Sequence, residues 1–249
     1  MINLNNKNLV KAIDKLKKVY NKIPSTTGCM ENIAKTDGCK AWCCCFQSPS
    51  VLSVEFHSVW KHILNTWKPK DICNLFERSL RNYLSSNATK GCVMWDKDTK
   101  LCQIHRNRPY NCRIYGIIPE EEFKPRFERL KVLYQNDLSA TIRDQCNLVK
   151  TEDGSVVTKT MTDDWWNELL EIERKSGVSK DNINDSKTGS YRTYHDHIVL
   201  RLLSNNMLSK MTYLKVHGND MEKDQAVRGV VKGLRLSLEE KAWQGEELP

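Results

Sequence analysis

A chain of 249 residues with a net charge of +8 can bury a core without disulfide staples, and its charge permits an acidic or nucleic-acid partner without requiring one. The first residues are polar and lack the apolar segment of a secretion signal, and no run approaches the roughly 18 apolar residues of a membrane span. The expectation is a cytoplasmic chain with no membrane role and no indication of DNA binding. In that reducing setting a dense pattern of cysteines, ten in this chain, points to metal binding rather than to disulfides.

Over residues 8–22, Leu9, Ile13, Leu16 and Tyr20 recur at helical spacing, and Pro24 stops the helix. A polar loop then carries Cys29 into Cys39-Lys40-Ala41-Trp42-Cys43-Cys44-Cys45. Ser53 is placed to cap a helix reaching Trp67, Lys68-Pro69-Lys70 breaks it, and Asp71 caps the next, in which Ile72, Leu75, Phe76, Leu80 and Tyr83 recur. Asp96-Lys97-Asp98 reads as a turn, residues 101–105 as a short strand, and Pro109 and Gly116 as loop punctuation.

Residues 125–135 return to helix, and 155–159 form a strand candidate. Thr162 or Asp163 caps a helix that Gly177 ends, and 179–190 has the composition of a linker. Helices over 195–203, 207–216 and about 220–242 complete the chain; Gly229 and Gly233 in the last point to close approach of another helix. The fold expected is mainly α with a few short strands, its helices surrounding a loop-rich, metal-organised cysteine cluster. Residues 1–178 form the metal-binding domain with its N-terminal helix, and 179–249 a helical extension.

Cys92, Cys102 and Cys112 stand at equal spacing, nine residues between each pair, on this poorly periodic central stretch. Adjacent side chains point in different directions, so Cys43, Cys44 and Cys45 do not easily serve one ion; in an extended segment Cys43 and Cys45 share a side. Cys73 sits in a helix beside Ile72 and reads as a core thiol. The nine others suffice for two four-thiolate centres, or for one cluster with spares. Neither the paired knuckles of structural zinc sites nor a ferredoxin spacing is present. An all-thiolate set without an obvious histidine partner leans toward an iron–sulfur cluster, with zinc the alternative.

The candidate ligands are Cys39, Cys43, Cys44, Cys45, Cys92, Cys102, Cys112 and Cys146. His105 is the one histidine kept as a ligand or as a donor to one. Arg108 and Arg113 frame the cofactor, neutralising thiolates and pinning the loop. Tyr110, Tyr115 and the tryptophans read as packing. His57 and His62, five residues apart, fall on different helix faces and lack a zinc protease's spacing. His195 and His197 read as capping and surface polarity.

The run Cys92, Cys102-x-Ile104-x-x-x-Arg108-Pro109-x-x-Cys112-Arg113-x-Tyr115, preceded by a knot ending in adjacent cysteines, resembles the YkgJ-type cysteine-cluster proteins, described as zinc- or iron-chelating. The Cys39-x-x-x-Cys43-Cys44 spacing is similar to the cysteine domain of flagellin lysine N-methylases, a resemblance that implies an iron–sulfur binder. It covers about residues 29–150. Many members begin with two residues between their first cysteines; here the loop is longer and a third cysteine follows.

Two functional classes stay open. One is an enzyme or enzyme subunit whose iron–sulfur centre serves redox chemistry or modification of a protein or RNA substrate. The other is a non-catalytic protein in which zinc or a cluster staples a surface for a protein or RNA partner.

Overall fold

The structure is a computed structural model that describes residues 6–26, 44, 48–86, 91–99, 101–133, 149–177 and 192–244. It is mainly helical: α1 (Lys7–Tyr20), α2 (Ser53–Thr66), α3 (Pro69–Leu84), α4 (Tyr110–Ile114), α5 (Glu120–Leu133), α6 (Lys159–Ser176), α7 (Tyr194–Leu202), α8 (Asn205–His217) and α9 (Asp220–Gln244). β-structure among the described residues is confined to isolated bridges, Thr26 with Thr151, Ser50 with Thr193 and Trp95 with Cys102. No helix among them is long and apolar enough to cross a membrane.

Helix ends depart from the sequence expectation where tertiary partners replace local caps. Ser53 lies inside α2 rather than capping it. Leu52 holds the cap position, with its N–H donating to Glu55 Oε2 at 2.9 Å. The next two N–H groups, of Ser53 and Val54, donate to the Glu173 carboxylate of α6 at 2.9 and 2.8 Å. Two carboxylates therefore satisfy three of the donors that a helix start leaves over, at the end where the helix dipole favours negative charge.

Pro69, read as a breaker, opens α3, because its fixed φ and missing N–H suit the first helical position. Thr158 caps α6 a turn earlier than expected, its Oγ1 accepting from Met161 N. Gly177, in the left-handed region at φ 68°, ends that helix as anticipated. Thr193 and Asp196 cap α7 reciprocally. Residues 155–158 join no strand, and Lys159 already belongs to α6. The linker assigned to 179–190 lies outside the described residues.

Two apolar clusters organise the helices. The larger joins α2 and α3 to α7, α8 and α9, with Leu75, Leu80, Ile63, Ile198 and Val199 excluded from solvent. Burial of each such side chain contributes about 1.5–3 kcal/mol relative to exposure. Cys73, 1 % exposed, lies within it, the core thiol that its sequence neighbours implied. The second cluster joins α1 and α6 through Leu9, Leu16, Val19, Trp165 and Leu169, and takes in Tyr110 and Ile114 of α4. α2 is shared: Leu52 and Val54 at its start enter the second cluster, and Phe56, Val59 and Trp60 enter the first.

Two expectations are corrected. A Cβ added at Gly229 or Gly233 would meet nothing within 4 Å, so no helix among the described residues approaches α9 closely there. His195 and His197 are buried rather than on the surface. His197 donates from Nε2 to Val51 O at 2.8 Å, stacks on Phe56 and accepts at Nδ1 from Arg201. His57 likewise donates to Ser53 O. Burial pushes His57 down to about 4 and His197 to about 3, so both are neutral tethers.

Candidate metal centre

The central cysteine segment leaves α3 and crosses the seam between the two clusters. Asn82 Nδ2 donates to Gly91 O, and Arg78 donates to Val93 O and to Gln103 Oε1, which binds the segment to the side of α3. Asp96 Oδ1 accepts from the N–H groups of Asp98 and Thr99 at 2.9 and 2.8 Å. The expected turn is thus an Asx-type reversal, and these bonds hold the Asp96 carboxyl below its usual range.

Asp96 N donates to Leu101 O and Gln103 N to Met94 O, closing a short hairpin. The hairpin returns Cys102 to lie opposite Trp95, three residues beyond Cys92. The expected strand over 101–105 contributes only this bridge before the chain turns into a 3-10 helix, His105–Asn107. Cys92 N donates to Cys44 O at 2.7 Å, so Cys44 lies against the central segment. Cys92 is buried in the larger cluster, and Cys44 and Cys102, half-buried, pack against it.

Cys112 arrives from the other side. Pro109 and the residues after it form the short helix α4 rather than loop, with Pro109 at the cap position. Tyr110 N donates to Glu55 Oε1 at 2.7 Å and Tyr110 Oη to Thr162 O at 2.8 Å, which fixes α4 between α2 and α6. Tyr110 also stacks on Trp166, and Tyr115 lies edge-on to Phe123; these are the packing roles expected of both tyrosines.

Arg113 donates to the carbonyls of Arg108 and Arg106, each at 2.9 Å, and lies 4.1 Å over the Tyr20 ring. Arg108 donates to Thr26 Oγ1 at 2.8 Å and approaches His105 Nε2 at 3.4 Å. Arg113 therefore pins the cysteine loop while holding a cation beside Cys112. Burial, and then Arg108 and Arg113, push the His105 imidazole down and keep it neutral, the form able to ligate or to orient a ligand.

Three residues that the sequence reading did not connect with the site complete the seam. Glu55 is buried and accepts from Tyr20 Oη at 2.5 Å, from Tyr110 N and from Leu52 N. Burial raises its carboxyl above the usual range, against those three bonds, which pull it down. Tyr20 is raised by burial and then by Glu55. Tyr194, at the start of α7, is 0 % exposed and its hydroxyl has no hydrogen-bond partner among the described residues. Cys112, Tyr20, Glu55 and Cys92 all lie close enough to act on that hydroxyl and, after burial, push it up. A signal for Glu55 existed, since it interrupts the apolar run Val54-Glu55-Phe56. Tyr194 carried none, because it adjoins the polar stretch read as a linker.

Cys44, Cys92, Cys102 and Cys112 are therefore the described part of the expected ligand set; Cys39, Cys43, Cys45 and Cys146, with Cys29, lie outside the described residues. Among the described residues no three of His, Cys, Asp or Glu close into a group able to hold an ion. The donor chemistry still suits a soft metal, with thiols on separate segments and the Arg113 cation beside one of them.

A helical protein organised around a cysteine cluster is the class these features define. Residues 35–147 match the model of the CxxCxxCC family, described as a "Putative zinc- or iron-chelating domain". The match takes in all eight expected ligands, from Cys39 to Cys146, and leaves out Cys29. It bears out the resemblance to a cysteine-cluster family and supports metal binding. No curated protein and no solved structure matches the chain.

Proposed function

We propose that this chain is a metalloprotein that holds an iron–sulfur cluster in thiolates drawn from Cys39, Cys43, Cys44, Cys45, Cys92, Cys102, Cys112 and Cys146. The cluster serves redox chemistry or the modification of a protein or RNA substrate in the cytoplasm. The observation that carries the reading is the hydrogen bond from Cys92 N to Cys44 O, which brings two of these cysteines together inside the matched segment.

Bound there, the cluster would supply electron transfer or Lewis acidity. The protein supplies the thiolates, the Arg113 cation that offsets their charge, and apolar walls that limit water. Arg108 and Arg113 hold the loop on which Cys112 sits.

Purification without oxygen, followed by metal and sulfide analysis, tests this. A brown protein with iron and acid-labile sulfide is expected; a colourless one with stoichiometric zinc replaces the cluster with a structural ion. Cys92→Ser, Cys102→Ser and Cys112→Ser each lose metal, whereas Cys73→Ser keeps it. Full metal in all three central variants would place the ligands elsewhere.

A further inference from the structure

We infer that the lysine face of α1, continued by the arginine loop that abuts its C-terminal end, docks the phosphate backbone of a single-stranded RNA. The inference rests on the reading above in one respect: of the two substrate classes named there, it takes RNA as the one that the cysteine centre serves.

Residues 7–22 hold six lysines and one acid, Asp14, and so carry much of the chain's net charge of +8. All six lysines are exposed. Lys7, Lys11, Lys15 and Lys18 follow one another at three- and four-residue steps, which sets them in a row along one side of the helix. The row lies opposite the face that buries Leu9, Leu16 and Val19. At 1.5 Å of rise per residue it runs for about 16 Å. Among the described residues none of these four lysines has an ion-pair partner. The acids of the adjoining α6 do not neutralise the row: Glu168 is taken by Lys22, Asp163 by Lys159, and Glu171 by Arg174 and Lys175.

The same sign of charge continues past the end of α1. Arg113 lies 4.1 Å over the Tyr20 ring and donates to the carbonyls of Arg106 and Arg108, and Arg108 donates to Thr26 Oγ1. The loop that leads to Cys112 therefore sits against the last turn of α1 and the residues after it. Arg106 is exposed, and none of the three arginines forms an ion pair with a carboxylate among the described residues.

The kind of partner follows from what this face holds and lacks. Donors that converge suit a single small anion, whereas a row of ammonium groups suits a row of charges, which a nucleic-acid strand presents at every nucleotide. Protein partners bury aromatic and aliphatic anchors, and the exposed side of α1 offers only Val10, 37 % exposed. A bilayer would take up the apolar side of α1, and that side is already spent in the core.

The full chain, purified without oxygen, is titrated into a labelled single-stranded RNA of mixed sequence over a salt series. Duplex DNA, a polyglutamate peptide and phosphatidylcholine vesicles containing phosphatidylserine are run beside it. RNA is expected to bind most tightly, with log affinity falling linearly against log salt. Lys11→Gln, Lys15→Gln and Lys18→Gln together keep the helical circular dichroism and the metal content but weaken RNA binding. They make the salt slope shallower by about 2, since each phosphate contact on a single strand contributes about 0.7. Arg106→Gln added to the three lowers the slope again by about 0.7. An equal loss of charge elsewhere, by Lys70→Gln, Lys210→Gln and Lys232→Gln, leaves the slope as it was.

A wild type that ignores RNA, or that prefers the DNA, the peptide or the vesicles, overturns the inference. So does a folded α1 variant whose slope matches that of the control variant, or an Arg106→Gln change that moves nothing. A chain without metal that still binds RNA through these lysines defeats the metal centre alone. A metal-loaded chain that does not bind RNA defeats only this surface.

Discussion

Where α3 meets α7 and α9, the helices are held by apolar side chains that water does not reach, among them Leu75, Leu80, Ile198 and Val227. The seam between that cluster and the α1–α6 cluster is built differently. It gathers Glu55, Tyr20, Tyr194, Cys92 and Cys112 in or near a buried environment, with Arg113 as the neighbouring cation. Apolar burial needs only the right volume at the right spacing, and helices at three- and four-residue steps provide it. A buried polar seam is stable only when each group has its partner, which ties the seam to whatever the cysteines hold.

A cavity in the apolar cluster separates the two most strongly. Leu80→Ala, at a position 0 % exposed, is expected to lower unfolding stability by about 2–5 kcal/mol while the folded fraction keeps its metal. Urea unfolding with metal analysis of the folded fraction reads both. Proportional loss of metal and stability would show that the two regions are one cooperative unit.

Glu55→Ala acts on the seam. It strips the acceptor from Tyr20 Oη, Tyr110 N and Leu52 N, and a buried donor left unsatisfied costs about 1–3 kcal/mol. Water entering the vacated space offsets part of that, so a total of about 3 kcal/mol is expected. Unlike the leucine, this variant also loses metal, because the Tyr110 bond anchors the short helix that carries Cys112. Wild-type metal content in the folded Glu55→Ala protein would detach α4's anchor from the centre.

Acid probes the boundary through His57 and His197, whose folded values of about 4 and about 3 lie below the ordinary 6.5. Between those values and 6.5 the unfolded chain binds protons that the folded chain does not. The stability these neutral rings confer is therefore complete above pH 6.5 and is lost as pH falls toward 4 and then 3. Well inside that window the slope is about 1.4 kcal/mol per pH unit for each histidine. Replacing His197 by Gln should flatten the dependence between pH 6 and 4.5 in chemical denaturation; an unchanged slope would mean that the ring is not neutral when folded.

Repetition made the helices legible. Leu9, Ile13 and Leu16, or Ile72, Leu75, Phe76 and Leu80, report their own buried face, and Gly177 reports its stop. Helix starts were less legible where a distant residue does the capping, as Glu173 does for Ser53 and Val54 from 120 and 119 residues away. The same limit applies at the centre. Cysteine spacing marks candidate ligands because few other residues do that chemistry, but Tyr194 and Glu55 matter through neighbours that only the folded chain supplies.

The glycines of α9 give the smallest effect and one of opposite sign. Gly229 and Gly233 looked like contact points, yet both are exposed and a Cβ at either meets nothing within 4 Å. With no close approach to protect, each glycine only adds conformational freedom to the unfolded chain. Alanine at either position is expected to stabilise the protein, by up to about 1 kcal/mol. The neighbours that do pack, Val227 and Val231, lie on the face of α9 turned to α3 and remain untouched. Thermal unfolding of the double Gly229→Ala, Gly233→Ala variant reads the sum. A fall in Tm would mean that something docks against that face of α9 in solution, and it would move α9 from the self-sufficient region of the molecule to one that depends on a partner.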